Sequence, residues 1–423
     1  MIDIKEIREN PAAIEKRLKS KDPTLSVMPL LRLDEEVRAL TSKSEELKSL
    51  RNSQSKAIGE KKRSGEDVSH LMNEVSKLGD QISECDTQLS TLLEKFQTAI
   101  SSLPNPPDEN TPVSLNPADN VLVRSWGERP TFDFEAKHHL QLNEKLNLID
   151  METSAKLTGS GWPLYRGLGA RLEWALLNFM VDTHIKNGYE FILPPLLARP
   201  NVLYGAGQLP KFADQLFQLN DDDYPLYLNP TSEVILNGMH GDEILDSQTL
   251  PRKYCSYTPC FRREAGAAGS GERGLIRMHQ FNKVEMFCFT EPEQSDAIFD
   301  EMVHSAESIL QALGLHYRVM QLVTGDMSFG GAHCYDIEVW LPGQGRYYEV
   351  SSVSNCRDFQ ARRAKIRAKT GNEKPHLVHT LNGSGLATSR LFVALLENNQ
   401  RADGTVALPA ALHPYLGNIT ELS

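Results

Sequence analysis

Between Leu71 and Phe96, apolar residues fall at Leu71, Val75, Leu78, Ile82, Cys85, Leu89, Leu92 and Phe96, in steps that alternate between four and three. A seam with a mean period of 3.5 residues, held for more than three heptads, is the signature of a coiled coil. It leaves one apolar stripe on an otherwise polar helix, and that stripe needs a partner. Upstream, Leu30, Leu33, Val37, Leu40, Leu47 and Ile58 follow the same kind of track, interrupted by Ser44, Arg51 and Gln54. Between the two runs lies EKKRSGED (60–67), polar, with Gly65 as a turn residue. Two long helices joined by so short a loop can bury their seams only against each other, so the spacing predicts an antiparallel hairpin. At ~1.5 Å per residue, roughly 35 residues per helix gives an arm about 50 Å long.

The two predicted helices differ in charge. From 48 to 63 stand Lys48, Arg51, Lys56, Lys61, Lys62 and Arg63 against Glu60 alone, whereas from 64 to 96 seven acids face only Lys77 and Lys95. The whole chain carries a net charge of −11, which excludes a generally basic nucleic-acid binder. Contact with a polyanion must therefore use a local patch. Arg51, Lys56, Lys61, Lys62 and Arg63, toward the turn, are either a solvated helix face or a lever that presents cations far from the main body.

A length of 423 residues exceeds what one compact core accommodates. Five prolines between 104 and 117 end the hairpin, and residues 105–124 read as a Pro-rich linker. The expected division is an N-terminal domain at 1–104 and a second domain at 125–423. In the second, Leu172 to Ile185 reads as an apolar helix ended by Gly188. Strand-like runs follow at 189–193, 254–258, 284–289, 335–341 and 346–352. Their spacing is too irregular for repeated βαβ units, so the expectation is an antiparallel sheet flanked by helices, an α+β domain. Six cysteines without a CxxC pair argue against a zinc ribbon or disulfide scaffold and for a reducing compartment. No apolar run is long enough to span a bilayer, and MIDIKEIREN lacks a signal-peptide core, so a cytoplasmic chain without a membrane partner is expected.

Three clusters carry chemistry. FRREAGAAGSGERGLIRMHQF (261–281) sets Arg262, Arg263 and Glu264 before a Gly/Ala-rich loop, and Arg273, Arg277, His279 and Phe281 after it. Guanidinium groups bind phosphate in a bidentate manner and an aromatic ring stacks on a base, which together suit a nucleotide. The segment has no Lys-Ser/Thr, so it is not a P-loop; GAGQLP (205–210) and GSGLAT (383–388) each lack the third glycine of a dinucleotide fingerprint. In GRYYEVSSVSNCRDFQARR (345–363), Glu349 with Ser351, Ser352 and Asn355 offers oxygen ligands suited to Mg²⁺ shared with phosphates, or else a polar strand edge. In LNGSGLATSRLFVALLENNQ (381–400), Gly383 and Gly385 precede an apolar helix bearing Arg390. That is either a backbone approach for an anion or a plain helix entry capped by Ser384 or Thr388.

In that order, and with the hairpin, these clusters resemble the motifs of the class II aminoacyl-tRNA synthetases, and the chain from MIDIKEIREN to HPYLG resembles the bacterial-type seryl-tRNA synthetase family. Motif 2 matches Phe261–Glu264 through Phe281, motif 3 matches Gly383 to Arg390, and motif 1 matches the helix ending at Gly188 with FILPPLL (191–197). NPTSE (229–233) resembles the serine-recognition signature. Two departures stand out: Ser232 where the family has alanine, and Arg263 where it has serine.

The resemblance implies ATP-dependent attachment of L-serine to serine tRNA through a seryl-adenylate, and leaves open whether selenocysteine tRNA is charged as well. It implies catalytic roles for Arg262, Arg390 and Glu349. Serine would be bound among Thr231, Ser232, Glu233, Glu285, Ser384 and Asn355. ATP would meet Arg262, Arg263, Glu264, Arg277, Met278 and Phe281 on one side, and Glu349, Val350, Ser351, Ser352 and Arg390 on the other. Arg277 and Arg390 would hold the γ-phosphate side, with Phe281 and Arg390 enclosing the adenine, and Glu349 with Ser352 would hold Mg²⁺. A homodimer is implied, with Pro195 at its interface. Two other function classes compete: a related ligase that loads an amino acid onto a protein carrier, and an inert scaffold whose hairpin mediates assembly. The first would lack a tRNA-binding arm, and the second has no use for three clusters of arginine, glutamate and glycine.

Overall fold

The computed structural model describes residues 1–221, 223–265 and 274–423. The chain forms two compact units, one of Ile2–Lys19 with Pro23–Leu103, the other of Met1, Ser20–Asp22 and Pro104–Ser423. In the first, α1 (Met28–Arg63, 36 residues) and α2 (Ser69–Ser101, 33 residues) pair as a hairpin. Every residue of the 71–96 seam is buried or half-buried, with Leu78, Ile82 and Cys85 the most enclosed. Ser44, which interrupts the seam of α1, is buried for a polar reason. Its hydroxyl donates to Asp86 across the hairpin at 2.8 Å, and Lys48 reaches the same carboxylate at 2.9 Å. Gly65 closes the turn at φ +78°, a left-handed conformation that glycine adopts without strain. Toward that turn Lys56, Lys61, Lys62 and Arg63 are exposed and Arg51 is half-buried.

The second unit is built on an eight-stranded sheet. Its strands are β1 (Val121–Trp126), β2 (Glu190–Ile192), β3 (Arg252–Phe261), β4 (Gln280–Thr290), β5 (Tyr317–Gln321), β6 (His333–Leu341), β7 (Arg346–Asn355) and β8 (His379–Ala387). They lie in the order β1-β5-β6-β7-β8-β4-β3-β2, antiparallel throughout except for β2 against β3. Helices α3 (Leu168–Lys186), α4 (Ser295–Ala312) and α5 (Thr388–Asn398) cover one face. Leu172, Leu176, Met302, Val303 and Phe392 pack there on Val284, Met286, Cys288 and Val339. On β4 these apolar residues alternate with Lys283, Glu285, Phe287 and Phe289, as the two-residue period of a strand requires. Phe287 and Phe289 join Tyr254, Leu236 and Ala361 in a second cluster, while Lys283 and Glu285 carry the same face into a cavity. The architecture is α+β with a two-helix arm.

Three local expectations are corrected. FILPPLL is not one strand: β2 stops at Ile192, and Pro194 and Pro195 cannot continue the ladder. The segment 105–124 is not a free linker, because Pro104–Pro107 are buried, Asn105 donates to the Gly330 and Cys356 carbonyls, and β1 starts at Val121. Gly383 and Gly385 lie inside β8 rather than at a helix entry, and neither Ser384 nor Thr388 caps α5, which starts after Ala387. The glycines serve close packing. A Cβ on Gly385 would meet His184 Nε2 at 2.2 Å, and one on Gly383 would stand 3.0 Å from Met302 Sδ.

Candidate active site

A cavity of about 600 Å³ opens on the face of the sheet opposite α3 and α4, with the first turn of α5 at its wall. The β3–β4 ladder pairs Cys260 with Phe281 and Phe261 with Gln280, which brings the two ends of motif 2 together across 19 residues of chain. Arg262, one residue beyond β3, thus lies over Phe281, its guanidinium carbon 5.1 Å from the ring centroid. Its backbone N–H donates to the His279 carbonyl at 2.8 Å, and the His279 N–H donates to Gly161 at 2.8 Å, so the arginine leaves a fixed base. Arg277 reaches Glu264 at 3.7 Å, and both line the cavity with Met278 and Phe281. Arg273 and most of the Gly/Ala-rich loop lie outside the described residues.

One corner concentrates buried charge. Lys283 forms an ion pair with Glu285 on the same strand face, and both are almost wholly enclosed. Thr231, at the start of a helical turn (Ser232–Gly238), accepts from Lys283 Nζ at 2.8 Å and donates its hydroxyl to Glu285 Oε2 at 3.1 Å. Glu233 accepts from the Gln360 amide at 2.6 Å. Burial and then the neighbouring Glu285 charge push its carboxyl up to about 7, against the opposing pull of Lys283, Gln360 and Arg262. Two carboxylates, one ammonium and one hydroxyl thus frame a space that can take a second ammonium and a hydroxyl.

The far wall comes from β7 and α5. Arg390 donates to the Glu349 carbonyl at 2.7 Å and stands 3.4 Å from its carboxylate. Glu349, Val350, Ser352 and Ser384 all line the cavity. Asp336 lies directly across the ladder from Ser352, and its Oδ1 is buried without a hydrogen-bond partner among the described residues. Burial, then the Glu349 charge, hold the Asp336 carboxyl well above the usual range. Among the described residues no three His, Cys, Asp or Glu side chains form a metal cage. Glu349 and Ser352 offer the cavity oxygen donors only, which fit a hard cation that takes its other ligands from phosphate and water.

Four expected site residues lie off the cavity. Ser232 is fully buried and shares a 2.7 Å hydrogen bond with Thr258, so this departure from the family pattern faces the protein interior. Asn355 is buried, accepts from the Arg357 backbone N–H and lies 3.4 Å from Asp296. Ser351 points to the core side of β7 and donates to the Ser384 carbonyl at 2.6 Å. Arg263 is exposed, held through its backbone by Gln215. Lys283 and Gln360 were missed. Strand alternation could have found Lys283, two positions from Glu285 and so on the same face; no local pattern marks Gln360.

Comparison with known proteins matches the chain to one family over its whole length. Residues 1–107 match the family model described as the seryl-tRNA synthetase N-terminal domain, and residues 217–399 match the tRNA synthetase class II core domain (G, H, P, S and T). The chain is 50% identical over 427 residues to a serine–tRNA ligase of Chlamydia felis, covering 100% of this chain and 99% of that protein. It is 50% identical over 418 residues to the serine–tRNA ligase of Chlamydia caviae, covering 99% and 98%. Among solved structures, a seryl-tRNA synthetase from Pyrococcus horikoshii complexed with ATP superposes with a TM-score of 0.91 at 36% identity, covering 100% of this chain and 99% of the other. A cytoplasmic serine–tRNA ligase from Naegleria fowleri in complex with AMP gives 0.86 at 28% identity, with the same coverage.

The buried pair sets a stability expectation. Lys283→Met removes one partner and leaves Glu285 charged and enclosed, which costs about 3–5 kcal/mol. Chemical denaturation should show an earlier midpoint, and adding Glu285→Gln should recover part of the loss. An unchanged midpoint for Lys283→Met would show that the two charges do not depend on each other.

Proposed function

The chain belongs to the seryl-tRNA synthetase family, and from that premise we propose that its cavity holds ATP and L-serine side by side, with Arg262 between them. The enzyme attaches L-serine to serine tRNA with ATP as the energy source. In the first step a serine carboxylate oxygen bonds to the α-phosphorus, the bond from that phosphorus to the bridging oxygen breaks, and pyrophosphate leaves. In the second a terminal ribose hydroxyl of the tRNA attacks the acyl carbon and AMP leaves. Neither step needs a protein nucleophile, so the chain contributes positioning and charge.

Arg262 neutralises the serine carboxylate and the α-phosphate as they approach. Phe281 and Arg390 enclose the adenine, Arg277 and Arg390 hold the γ-phosphate side, and Glu264 meets the nucleoside. Glu349 and Ser352 would hold Mg²⁺, which when bound neutralises phosphate charge. The observation that carries the reading is the corner built from Lys283, Glu285, Thr231 and Glu233. Glu285 accepts from the serine hydroxyl, and Glu233 with Thr231 meets its ammonium. Trp174, Leu193 and Leu196, exposed along motif 1, support a homodimer closed through that face. Six free, buried cysteines support a cytoplasmic setting.

The arm completes the reading. Its exposed cations stand about 50 Å from its own base and meet tRNA phosphates there. Phosphate contacts carry no sequence information, so those cations alone do not select serine tRNA over selenocysteine tRNA.

Two experiments test these roles. Glu233 is ionised mainly above pH 7, and only the ionised form attracts an ammonium, so serine binding should strengthen as pH rises through about 7. KM for serine should be about tenfold higher at pH 6 than on the alkaline plateau, and Glu233→Gln should remove that dependence. A flat profile in the unmodified enzyme removes Glu233 from serine binding. Separately, replacing residues 30–100 with a short Gly/Ser linker should leave adenylate formation nearly intact while tRNA charging falls steeply. Neutralising three of Arg51, Lys56, Lys61, Lys62 and Arg63 should lower the salt slope of tRNA binding by about one unit per lost contact. Full charging by the truncated enzyme would reduce the arm to scaffolding.

A further inference from the structure

Glu173 on α3 is buried, and no step of the reaction uses it. Its Oε1 accepts from Asn282 Nδ2 of β4 at 2.8 Å and from the hydroxyl of Thr388 at the start of α5. The Thr388 hydroxyl also lies 3.0 Å from the Asn282 carbonyl, so three elements meet at one oxygen. Oε2 is buried without a hydrogen-bond partner among the described residues. A buried carboxylate with one unsatisfied oxygen is a costly way to fill space that an apolar side chain would fill better. The bonds made by the other oxygen are what the position provides.

Asn282 stands between Phe281 and Lys283, and by strand alternation its side chain points to the helix side while theirs line the cavity. Thr388 stands two residues before Arg390, which lines the cavity from α5. One carboxylate behind the wall therefore ties the backbone under Phe281 to the first turn that carries Arg390. We propose that Glu173 is a positioning residue that fixes the separation of Phe281 and Arg390 and thereby shapes the ATP slot from behind. This rests on the adenine reading given above. The serine corner is anchored separately, through Thr231, Gln360 and the Lys283–Glu285 pair, so the effect falls on one substrate.

ATP–pyrophosphate exchange by Glu173→Ala, Glu173→Gln, Thr388→Val and Phe281→Ala tests this. Glu173→Ala frees both donors and should raise KM for ATP about tenfold, with KM for serine within about twofold of the parent. Glu173→Gln keeps an oxygen that can accept both bonds and should return KM for ATP to within about threefold. Thr388→Val, which removes one bond and preserves shape, should give an intermediate rise and remains informative if Glu173→Ala does not fold. Equal shifts in both substrates, a Gln variant as impaired as the Ala variant, or an unchanged KM for ATP in Thr388→Val would overturn the proposal. Phe281→Ala separates the two layers. If it leaves KM for ATP unchanged, the adenine reading itself fails; if it raises KM while the Glu173 and Thr388 variants do not, only the positioning role fails.

Discussion

Lys283 and Glu285 occupy one face of one strand with almost no access to water, and neither charge could remain there without the other. Much of the site follows from that pairing. Thr231 must sit where it can accept from the ammonium and donate to the carboxylate, which fixes the start of the Ser232–Gly238 turn against β4. Glu233, two residues on, is then brought beside a second negative charge, and burial together with that crowding makes its carboxyl a weaker acid. Gln360 satisfies one of its oxygens from a different helix. The corner is therefore already organised around charge, and a small zwitterion can enter it without rearranging the protein's own groups.

The opposite side of the same strand explains how such a corner holds its shape. Val284, Met286 and Cys288 pack under α3, α4 and α5, so the charged face is pinned by the apolar one. From α3, His184 places Nε2 2.6 Å from the Gly385 carbonyl and Nδ1 2.9 Å from the Ser305 hydroxyl of α4, which anchors β8 to two helices at once. Burial holds that imidazole at about 4, so it is neutral at physiological pH and stays a hydrogen-bonding spacer rather than a charge. Motif 1 thus supports the other motifs from behind, although none of its residues on α3 lines the cavity.

How much of this was legible depended on the kind of signal. The arm was readable because a heptad seam is a long, repeated pattern with one good solution, and even its polar gap at Ser44 has a local cause in Asp86 and Lys48. Five of the eight strands, β2, β3, β4, β6 and β7, were readable from apolar runs, whereas β1 is almost wholly exposed and β8 was hidden by glycines that usually signal a turn. Those glycines answer to His184 and Met302, contacts made across more than 80 residues of chain that no local window contains. In the site, the cavity gathers Arg262, Glu264, Arg277, Phe281, Glu285, Glu349 and Arg390 as the motif order implied. Ser232 and Ser351 lie off the cavity because adjacency in sequence does not tell which way a side chain points at a helix start or a bulge, whereas Asn355 is turned away by plain strand alternation from Ser352 and Ser354. The β6–β7 register slips between Glu349 and Ser351, and that slip sets Glu349 and Ser352 on the cavity side while Ser351 turns inward.

The central claim is that a buried, charge-paired acceptor reads the hydroxyl of serine. ATP–pyrophosphate exchange measured with serine, alanine and threonine in turn tests it most directly. The account predicts that alanine is disfavoured against serine by about four to five orders of magnitude in kcat/KM, because the groups built for the hydroxyl would be left unpaired. Alanine-dependent exchange within tenfold of the serine rate would contradict it.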